Sequence, residues 1–424
     1  MPNKKFVTDA LWNYMAFAVM AVCGVIINFS LALLQGTTAL GIFNQTMAYY
    51  VIVSHFAVLG FHNAVLYYVA AFPRNASNLF WSASIPLLLI ATLISTLSFL
   101  LAPVISAAFD SPALIPSLRM ASAALVFFAF NKIALNFFNA LKHMRIYALG
   151  QGLRYVCILA VVLNLSLNNI DPKYLGLAFL VAEIVVFIYL VFCLFKTVEV
   201  GKWLRSQKTA RLMFRFSLKS VGAGLLNEIN IRLDILALGF FMSDQVVGIY
   251  SFAAIFVEGF YNIGLVIRNT LSPYIVRAYK ERRLDQLGGW LCKIYMFNAV
   301  VALSIFSTVY FLYEPVIVGL LGMESFAEAG PVISILMCFM AVYFLFIPFE
   351  EFVLISGNPL HHTYIYTGVI LFNFCFNIIL IPLYGMVGAA FSTGGALMFM
   401  MLCVFVYVRR RLKINLLNGQ YIQK

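Results

Sequence analysis

Charged side chains are scarce in this chain of 424 residues. They make up 10% of the sequence, whereas hydrophobic residues make up 63%. A helix needs about 20 apolar residues to cross the hydrocarbon core of a bilayer, which is roughly 30 Å thick. This composition leaves little chain for a soluble domain, and it predicts a protein that crosses the membrane many times.

Signatures of catalysis and metal binding are also missing. The sequence has no Walker A loop, no GxSxG motif and no HExxH motif, so it offers no site for ATP-driven work and no recognisable hydrolase centre. Its seven cysteines are scattered without a CxxC pair, and we interpret them as small hydrophobic side chains. We therefore expect no enzyme, no cofactor and no resident metal ion.

The hydrophobic residues form about twelve apolar stretches between Trp12 and Val408, separated by short polar breaks. Each stretch is long enough to span a bilayer, so the sequence predicts an all-α integral membrane protein. The first six spans are predicted at residues 12–34, 42–71, 79–103, 116–140, 147–168 and 174–195. The second six are predicted at residues 217–241, 248–276, 289–313, 331–355, 363–383 and 387–408.

Basic residues are concentrated in loops that share one side of this topology. They lie at Lys4 and Lys5, Arg74, Lys142 and Arg145, and within 196–219, 277–283 and 409–413. The positive-inside rule assigns these loops, and both termini, to the cytoplasm. The net charge of +12 is thus a topology signal. Because the longest polar connection is too small to form a basic soluble domain, no nucleic acid is expected as a partner.

The sequence also contains a weak internal repeat. A shift of 207 residues aligns 31–72 with 238–279 without gaps, and it places Gly41 on Gly248. Two halves of six helices each would share one orientation, with a central cavity between bundles that rock against each other. The expected domains are an N-terminal six-helix bundle at 1–196, a basic cytoplasmic linker at 197–216, a C-terminal bundle at 217–410 and a cytoplasmic tail at 411–424.

Polar residues within the predicted spans are candidates for function, because a charge in the bilayer core costs roughly 2.5–3.5 kcal/mol on insertion scales. The seventh span has Asn227, Glu228, Asn230, Arg232 and Asp234 on one arc, opposite an apolar stripe. This arc predicts a surface that faces a cavity. Glu228 and Arg232 are four residues apart and suited to pairing, which leaves open a purely structural ion pair.

The second and eighth spans show a related pattern. His55 and His62 are seven residues apart and align with Asn262 and Asn269 in the repeat, with Glu258 on the same face of the eighth span. Matching polar positions in both halves indicate a stripe that faces the transport pathway. Hydrogen bonding between helices, worth roughly 0.6 kcal/mol per contact, is an equally good interpretation. No third ligand has a spacing that would complete a metal site with the two histidines.

The ionisable residues predicted to lie deep in the spans divide by charge. Lys132, Arg232 and Arg268 would suit an anionic substrate such as a phosphate or pyrophosphate head group. Arg154 and Lys293 are expected to extend to the cytoplasmic surface instead. The candidate substrate-binding residues are Arg232, Lys132, Arg268, Asn227, Asn230, His55, His62, Asn262 and Asn269. The candidate residues for coupling to H⁺ or Na⁺ are Glu228, Asp234, Glu258 and Glu183.

Three segments carry a resemblance to known transporters. Asp9–Tyr14 and the turn at Gly41–Gln45 resemble the opening of bacterial O-antigen flippases of the Wzx type. Asn377–Ala390 is similar to the N-x-x-L-I-P-x-Y-G-x-x-G-A-A segment of the multidrug, oligosaccharidyl-lipid and polysaccharide exporter superfamily. In that segment Pro382 and Gly385 are expected to break the eleventh helix.

The resemblance implies a flippase in the cytoplasmic membrane of a Gram-negative bacterium. It would move undecaprenyl-pyrophosphate-linked O-antigen repeat units from the inner to the outer leaflet by alternating access, driven by an ion gradient. Its partners would be this lipid-linked oligosaccharide, the phospholipid bilayer, H⁺ or Na⁺, and other polysaccharide assembly proteins. Two alternatives remain: a cation-coupled multidrug antiporter, whose cavity should be dominated by carboxylates, and a membrane-embedded polymerase or glycosyltransferase, which would need catalytic loops.

Overall fold

The computed structural model of the protein describes residues 4–197, 207–281, 288–413 and 415. Helices account for almost all of these residues, and no strand occurs among them. The first seven helices are α1 (Lys4–Leu34), α2 (Gly36–Val58), α3 (Phe61–Ala71), α4 (Ala76–Ala108), α5 (Leu114–Ala140), α6 (Met144–Leu167) and α7 (Leu177–Thr197). The next six are α8 (Gln207–Phe241), α9 (Asp244–Lys280), α10 (Gly288–Tyr313), α11 (Ala329–Phe346), α12 (Phe352–Ile355) and α13 (Pro359–Tyr407).

Most of the predicted membrane spans are present in the described part of the structure. Within the described ranges, nine candidate spans are long and apolar enough to cross a bilayer, and the bent pair α2 and α3 makes a tenth. Helix α13 contains two helical segments, since Gly385 has the non-helical φ of 58° and ψ of −135°. Helix α8 covers the predicted seventh span, but it is too rich in charged residues to be a candidate span by composition. The expected all-α membrane fold is confirmed, and so is the break at Gly385.

The linker and the tail are only partly covered by the described ranges. Residues 207–216, which the sequence assigned to the linker, form the first turns of α8. Residues 198–206 of that linker lie outside the description, as do residue 414 and residues 416–424 of the tail.

The described residues form two compact units. The first comprises Met1–Ile229 and Ser243–Gly248, and the second comprises Asn230–Met242 and Ile249–Lys424. In the first unit α1 packs on α6, and α4 packs on α5. In the second, α11 packs against α10 and α13. The interiors are rich in aromatic contacts, such as the stacked rings of Phe43 and Phe179, whose centroids are 5.5 Å apart.

Two glycines determine local geometry in the first unit. Gly60, with a φ of 73°, lies at the break between α2 and α3, where the helices bend by 50°. A Cβ atom at this position would be 2.5 Å from the carbonyl oxygen of Ser217, so α8 passes close to the break. A Cβ atom at Gly41 would overlap the carbonyl oxygen of Asp244 at the start of α9.

Candidate ion and substrate sites

A buried carboxylate surrounded by neutral donors lies in the second unit. Asp234 on α8 is 7% exposed. Its Oδ1 accepts hydrogen bonds from the amides of Asn377 at 2.7 Å and Asn373 at 3.1 Å. On the other side, Oδ2 lies 2.5 Å from the Thr393 hydroxyl and 3.3 Å from the hydroxyl of Tyr250. We call these five residues the Asp234 cluster.

Four helical segments bring the Asp234 cluster together. Asn373 and Asn377 are one turn apart on the first segment of α13, whereas Thr393 lies on the second segment, beyond the break at Gly385. Tyr250 comes from α9. All four partners approach one carboxylate because each helix exposes a polar residue on the side that faces α8.

The chemistry of the Asp234 cluster suits a small cation. No described lysine or arginine forms an ion pair with Asp234, so its negative charge is compensated only by neutral donors. The Oδ1 atom of Asn377 is buried and has no hydrogen-bond partner. Carboxylate, amide and hydroxyl oxygens are the ligands that hard cations prefer. Burying the charged carboxylate costs free energy, and either a bound cation or protonation of Asp234 would offset that cost.

A second buried carboxylate, Glu183 in the first unit, is neutralised by an arginine. The Nε atom of Arg154 lies 2.6 Å from Oε1 of Glu183, and Nη2 donates to Oε2 at 3.2 Å. Asn131 donates to Oε2 at 2.8 Å. Arg154 is only 8% exposed, so the expectation that it extends to the membrane surface is wrong. The three residues connect α5, α6 and α7 through one buried polar network.

Lys132, in contrast, has no carboxylate at ion-pair distance among the described residues. Its ammonium nitrogen lies 6.0 Å from the centroid of the Phe128 ring on α5. The guanidinium of Arg154 lies 5.0 Å from the same centroid. Two cations therefore share one aromatic ring, and only Arg154 has a carboxylate partner. Lys132 stays a predicted substrate-binding residue.

The third cation, Arg268 on α9, is bound by two carboxylates in the second unit. Its Nη1 atom is 2.8 Å from Glu350, and Nη2 is 3.3 Å from Glu351. The hydroxyl of Tyr261 donates to Glu350 at 3.0 Å. These carboxylates follow α11, where a short 3₁₀ segment at Ile347–Phe349 interrupts the helix. The sequence prediction of Arg268 as a substrate ligand did not take these partners into account.

The remaining predicted residues are distributed along α2, α3, α8 and α9. Glu228, Asn230 and Arg232 are half-buried on α8, and Glu228 and Arg232 each interact with other residues. The side chain of Asn227 lies outside the described part of the structure. On α9 the side chains of Glu258, Asn262 and Asn269 are exposed. His55 and His62 line one small cavity at the break between α2 and α3.

Comparison with known proteins places the chain in a family. Residues 6–279, more than half of the chain, match the family described as polysaccharide biosynthesis protein. The chain belongs to this family. No curated protein sequence matches it significantly.

The fold of this member of the polysaccharide biosynthesis family is similar to that of solved transporters. The lipid II flippase MurJ in an inward closed conformation superposes with a TM-score of 0.75 and 14% identity, over 94% of this chain and 87% of that one. An inward-facing multidrug resistance transporter of the MATE family gives 0.70 and 14%, over 93% and 94%. A transporter of the MOP superfamily from Pyrococcus furiosus gives 0.58 and 13%, over 95% and 93%. At these identities the likeness shows the fold alone.

The sequence alone did not predict the hydrogen-bond partners of Asp234. Asn373 and Asn377 are separated from Asp234 by 139 and 143 residues, so no local pattern links them. One signal was present: two asparagines, four residues apart, lie on the same face of a strongly apolar span. Glu350 and Glu351 gave a comparable signal as adjacent acids within the predicted span 331–355.

Proposed function

We propose that this protein is a flippase that moves undecaprenyl-pyrophosphate-linked O-antigen repeat units from the cytoplasmic to the periplasmic leaflet of a bacterial inner membrane. Membership in the polysaccharide biosynthesis family supports a lipid-linked glycan as the substrate. The likeness to a lipid II flippase supports a fold that can move such a lipid. The proposal retains alternating access as the mechanism and the cytoplasm as the location of both termini.

The observation that carries the proposal is the Asp234 cluster. A buried carboxylate without a cationic partner is costly, and a bound H⁺ or Na⁺ offsets that cost. If one conformation binds the cation better than the other, the ion gradient shifts the equilibrium between them. Asp234 therefore couples transport to a gradient, whereas Glu183, which is neutralised by Arg154, maintains the packing of its helices.

The substrate has three parts with different requirements. Its pyrophosphate needs positive charge, which Lys132 supplies without competition from a carboxylate at ion-pair distance. Its sugars need polar side chains, which α8 provides with Asn230. Its polyprenyl tail needs only the apolar environment of the bilayer.

A cation-coupled multidrug antiporter is the second candidate, favoured by the likeness to a MATE transporter. Such a protein would bind cationic drugs, for which Lys132 is a poor ligand. The two functions differ in phenotype. Loss of an antiporter raises drug sensitivity and leaves surface glycan intact, whereas loss of a flippase abolishes the surface glycan.

The experiment is a profile of surface lipopolysaccharide in a deletion strain complemented with wild type, Asp234→Asn, Arg232→Ala or Asp171→Asn. We expect wild type and Asp171→Asn, which changes an exposed carboxylate outside the predicted spans, to restore the O-antigen ladder. Asp234→Asn should fail although the protein reaches the membrane in normal amounts. An intact ladder in the deletion strain would refute the flippase, and rescue by Asp234→Asn would refute the coupling site. Rescue by Arg232→Ala would show that Arg232 is not needed for substrate binding and would leave the flippase proposal unchanged.

A further inference from the structure

Helix α9 contributes residues to both compact units. Its first turns, up to Gly248, belong to the first unit, and the helix belongs to the second unit from Ile249 onward. The helix is continuous from Asp244 to Lys280, so the same ladder of backbone hydrogen bonds connects its two parts. A change in the position of the first turns is therefore felt by the residues that follow them.

The first turns of α9 are attached to α2 and to the loop after α4 within the first unit. The amide of Gln45 donates to Oδ1 of Asp244 at 2.7 Å, and the hydroxyl of Ser111 donates to Oδ2 of the same carboxylate at 2.5 Å. Gly248 lies so close to the carbonyl oxygen of Thr37 that a Cβ atom would overlap it. We call these five residues the α9 anchor.

Tyr250, two residues after the α9 anchor ends at Gly248, contacts the Asp234 cluster. Its hydroxyl donates to Oδ2 of Asp234 at 3.3 Å and lies 3.2 Å from the hydroxyl of Thr393. The residue is only 2% exposed, and its buried ring limits movement of the hydroxyl relative to the backbone of α9. The hydroxyl thus has two acceptors within reach, the Asp234 carboxylate and the Thr393 oxygen.

The charge of Asp234 determines how firmly the Tyr250 hydroxyl is bound. A hydrogen bond to an ionised carboxylate is about twice as strong as one between neutral groups. A cation or a proton bound at Asp234 neutralises the charge and competes for the lone pairs of the oxygens. The oxygen of Thr393 then remains as an acceptor for Tyr250. Neutralisation of Asp234 therefore weakens the attachment of α9 to this site.

We propose that Tyr250 is the positioning residue through which occupancy of the Asp234 cluster controls the α9 anchor. When Asp234 is charged, Tyr250 holds the start of α9 in place. When Asp234 is neutralised, Tyr250 is released toward Thr393 and the anchor loosens. The inference rests on the proposed function and names the step that connects ion binding to a change in helix packing. Because such coupling is reciprocal, loosening of the anchor must favour the occupied site.

The test is hydrogen exchange, measured by mass spectrometry on the purified full-length protein in lipid nanodiscs. Wild type is compared with Tyr250→Phe, Asp234→Asn and the double variant, since asparagine imitates a neutral carboxyl group whichever cation is coupled. Exchange in residues 243–250 should be about fivefold faster in Tyr250→Phe, the effect of losing one charge-assisted hydrogen bond. Asp234→Asn should also accelerate it. The double variant should exchange no faster than Tyr250→Phe alone, because both changes remove the same bond.

Tyr313→Phe is the matched control. It removes the hydroxyl of another buried tyrosine in the second unit, which donates to the carbonyl oxygen of Phe326 at 2.7 Å. This variant should exchange at wild-type rates in residues 243–250. Exchange in α11 should stay unchanged in all variants, which excludes a general loss of stability as the cause of the effect.

Three results would overturn the inference: unchanged exchange at residues 243–250 in Tyr250→Phe, the same acceleration in Tyr313→Phe, or a double variant whose acceleration is the product of the two single effects. The last result would mean that the two side chains act independently. Glycan export is tested separately by the deletion strain. An intact O-antigen ladder in that strain would refute the flippase without changing the exchange data.

Discussion

Gly41 on α2 and Gly248 on α9 lie in reciprocal backbone contact. A Cβ atom at Gly41 would overlap the carbonyl oxygen of Asp244, and one at Gly248 would overlap the carbonyl oxygen of Thr37. The shift of 207 residues that relates the halves of the sequence maps Gly41 onto Gly248 and Thr37 onto Asp244. Each half therefore contributes the same glycine and the same carbonyl group to one helix crossing, as expected for two elements related by a local twofold axis.

This crossing predicts that alanine is not tolerated at either glycine. Gly41→Ala and Gly248→Ala should each lower the free energy of unfolding by about 1–3 kcal/mol, because the helix backbones must separate to admit a methyl group. Thermal unfolding of the purified protein in detergent measures the effect. Gly24→Ala and Gly259→Ala are matched controls, since a Cβ atom at either position meets nothing within 4 Å. At these helical positions alanine should stabilise by about 0.5–1 kcal/mol.

The helices were predictable because each apolar stretch by itself satisfies the requirement for a membrane span. Helix α8 was predicted although it is too polar to be a candidate span by composition, since its apolar residues recur with helical spacing. The contacts of its polar residues were not predictable. Whether Asp234 would meet an arginine or two asparagines depends on the packing of α8 against α13, and periodicity along one helix contains no information about its neighbour. The same limit applies to Arg268 and its two glutamates.

The Asp234 cluster predicts cation-dependent stability. If Na⁺ is the coupling ion, saturating Na⁺ should raise the unfolding temperature of wild type relative to choline at equal ionic strength, since a ligand at one hundred times its Kd contributes about 2.7 kcal/mol. If the ion is H⁺, the unfolding temperature should instead vary with pH at constant Na⁺. Asp234→Asn should abolish whichever dependence is found. Asp171→Asn should leave it intact, and a dependence that persists in Asp234→Asn would place the cation elsewhere.

The ion pair of Arg154 and Glu183 predicts a stability role for both residues. Glu183→Gln and Arg154→Ala should each destabilise the protein by about 3–5 kcal/mol, the usual effect of leaving one buried charge without its partner. Thermal unfolding again measures the change. The exposed pair of Asp171 and Lys173, 2.9 Å apart, is the control, and Asp171→Asn should produce no measurable shift because solvent screens that pair. If the dependence of stability on the cation disappears in Glu183→Gln, Glu183 takes part in ion coupling, as the sequence predicted.

Arg268 allows a structural role to be distinguished from substrate binding. Arg268→Ala leaves Glu350 buried without its charge partner, so we expect a loss of about 3–5 kcal/mol in stability. Glu350→Gln releases one of the two carboxylates that bind the guanidinium. If Arg268 only maintains packing, both variants should lower the unfolding temperature and reduce glycan export in proportion to the folded protein. If Arg268 binds the substrate, Glu350→Gln should export at least as much glycan per folded molecule as wild type, while Arg268→Ala exports none. We expect the first pattern. The control is Arg277→Ala, which removes the exposed pair of Arg277 and Glu281, 2.8 Å apart, and should change neither stability nor export.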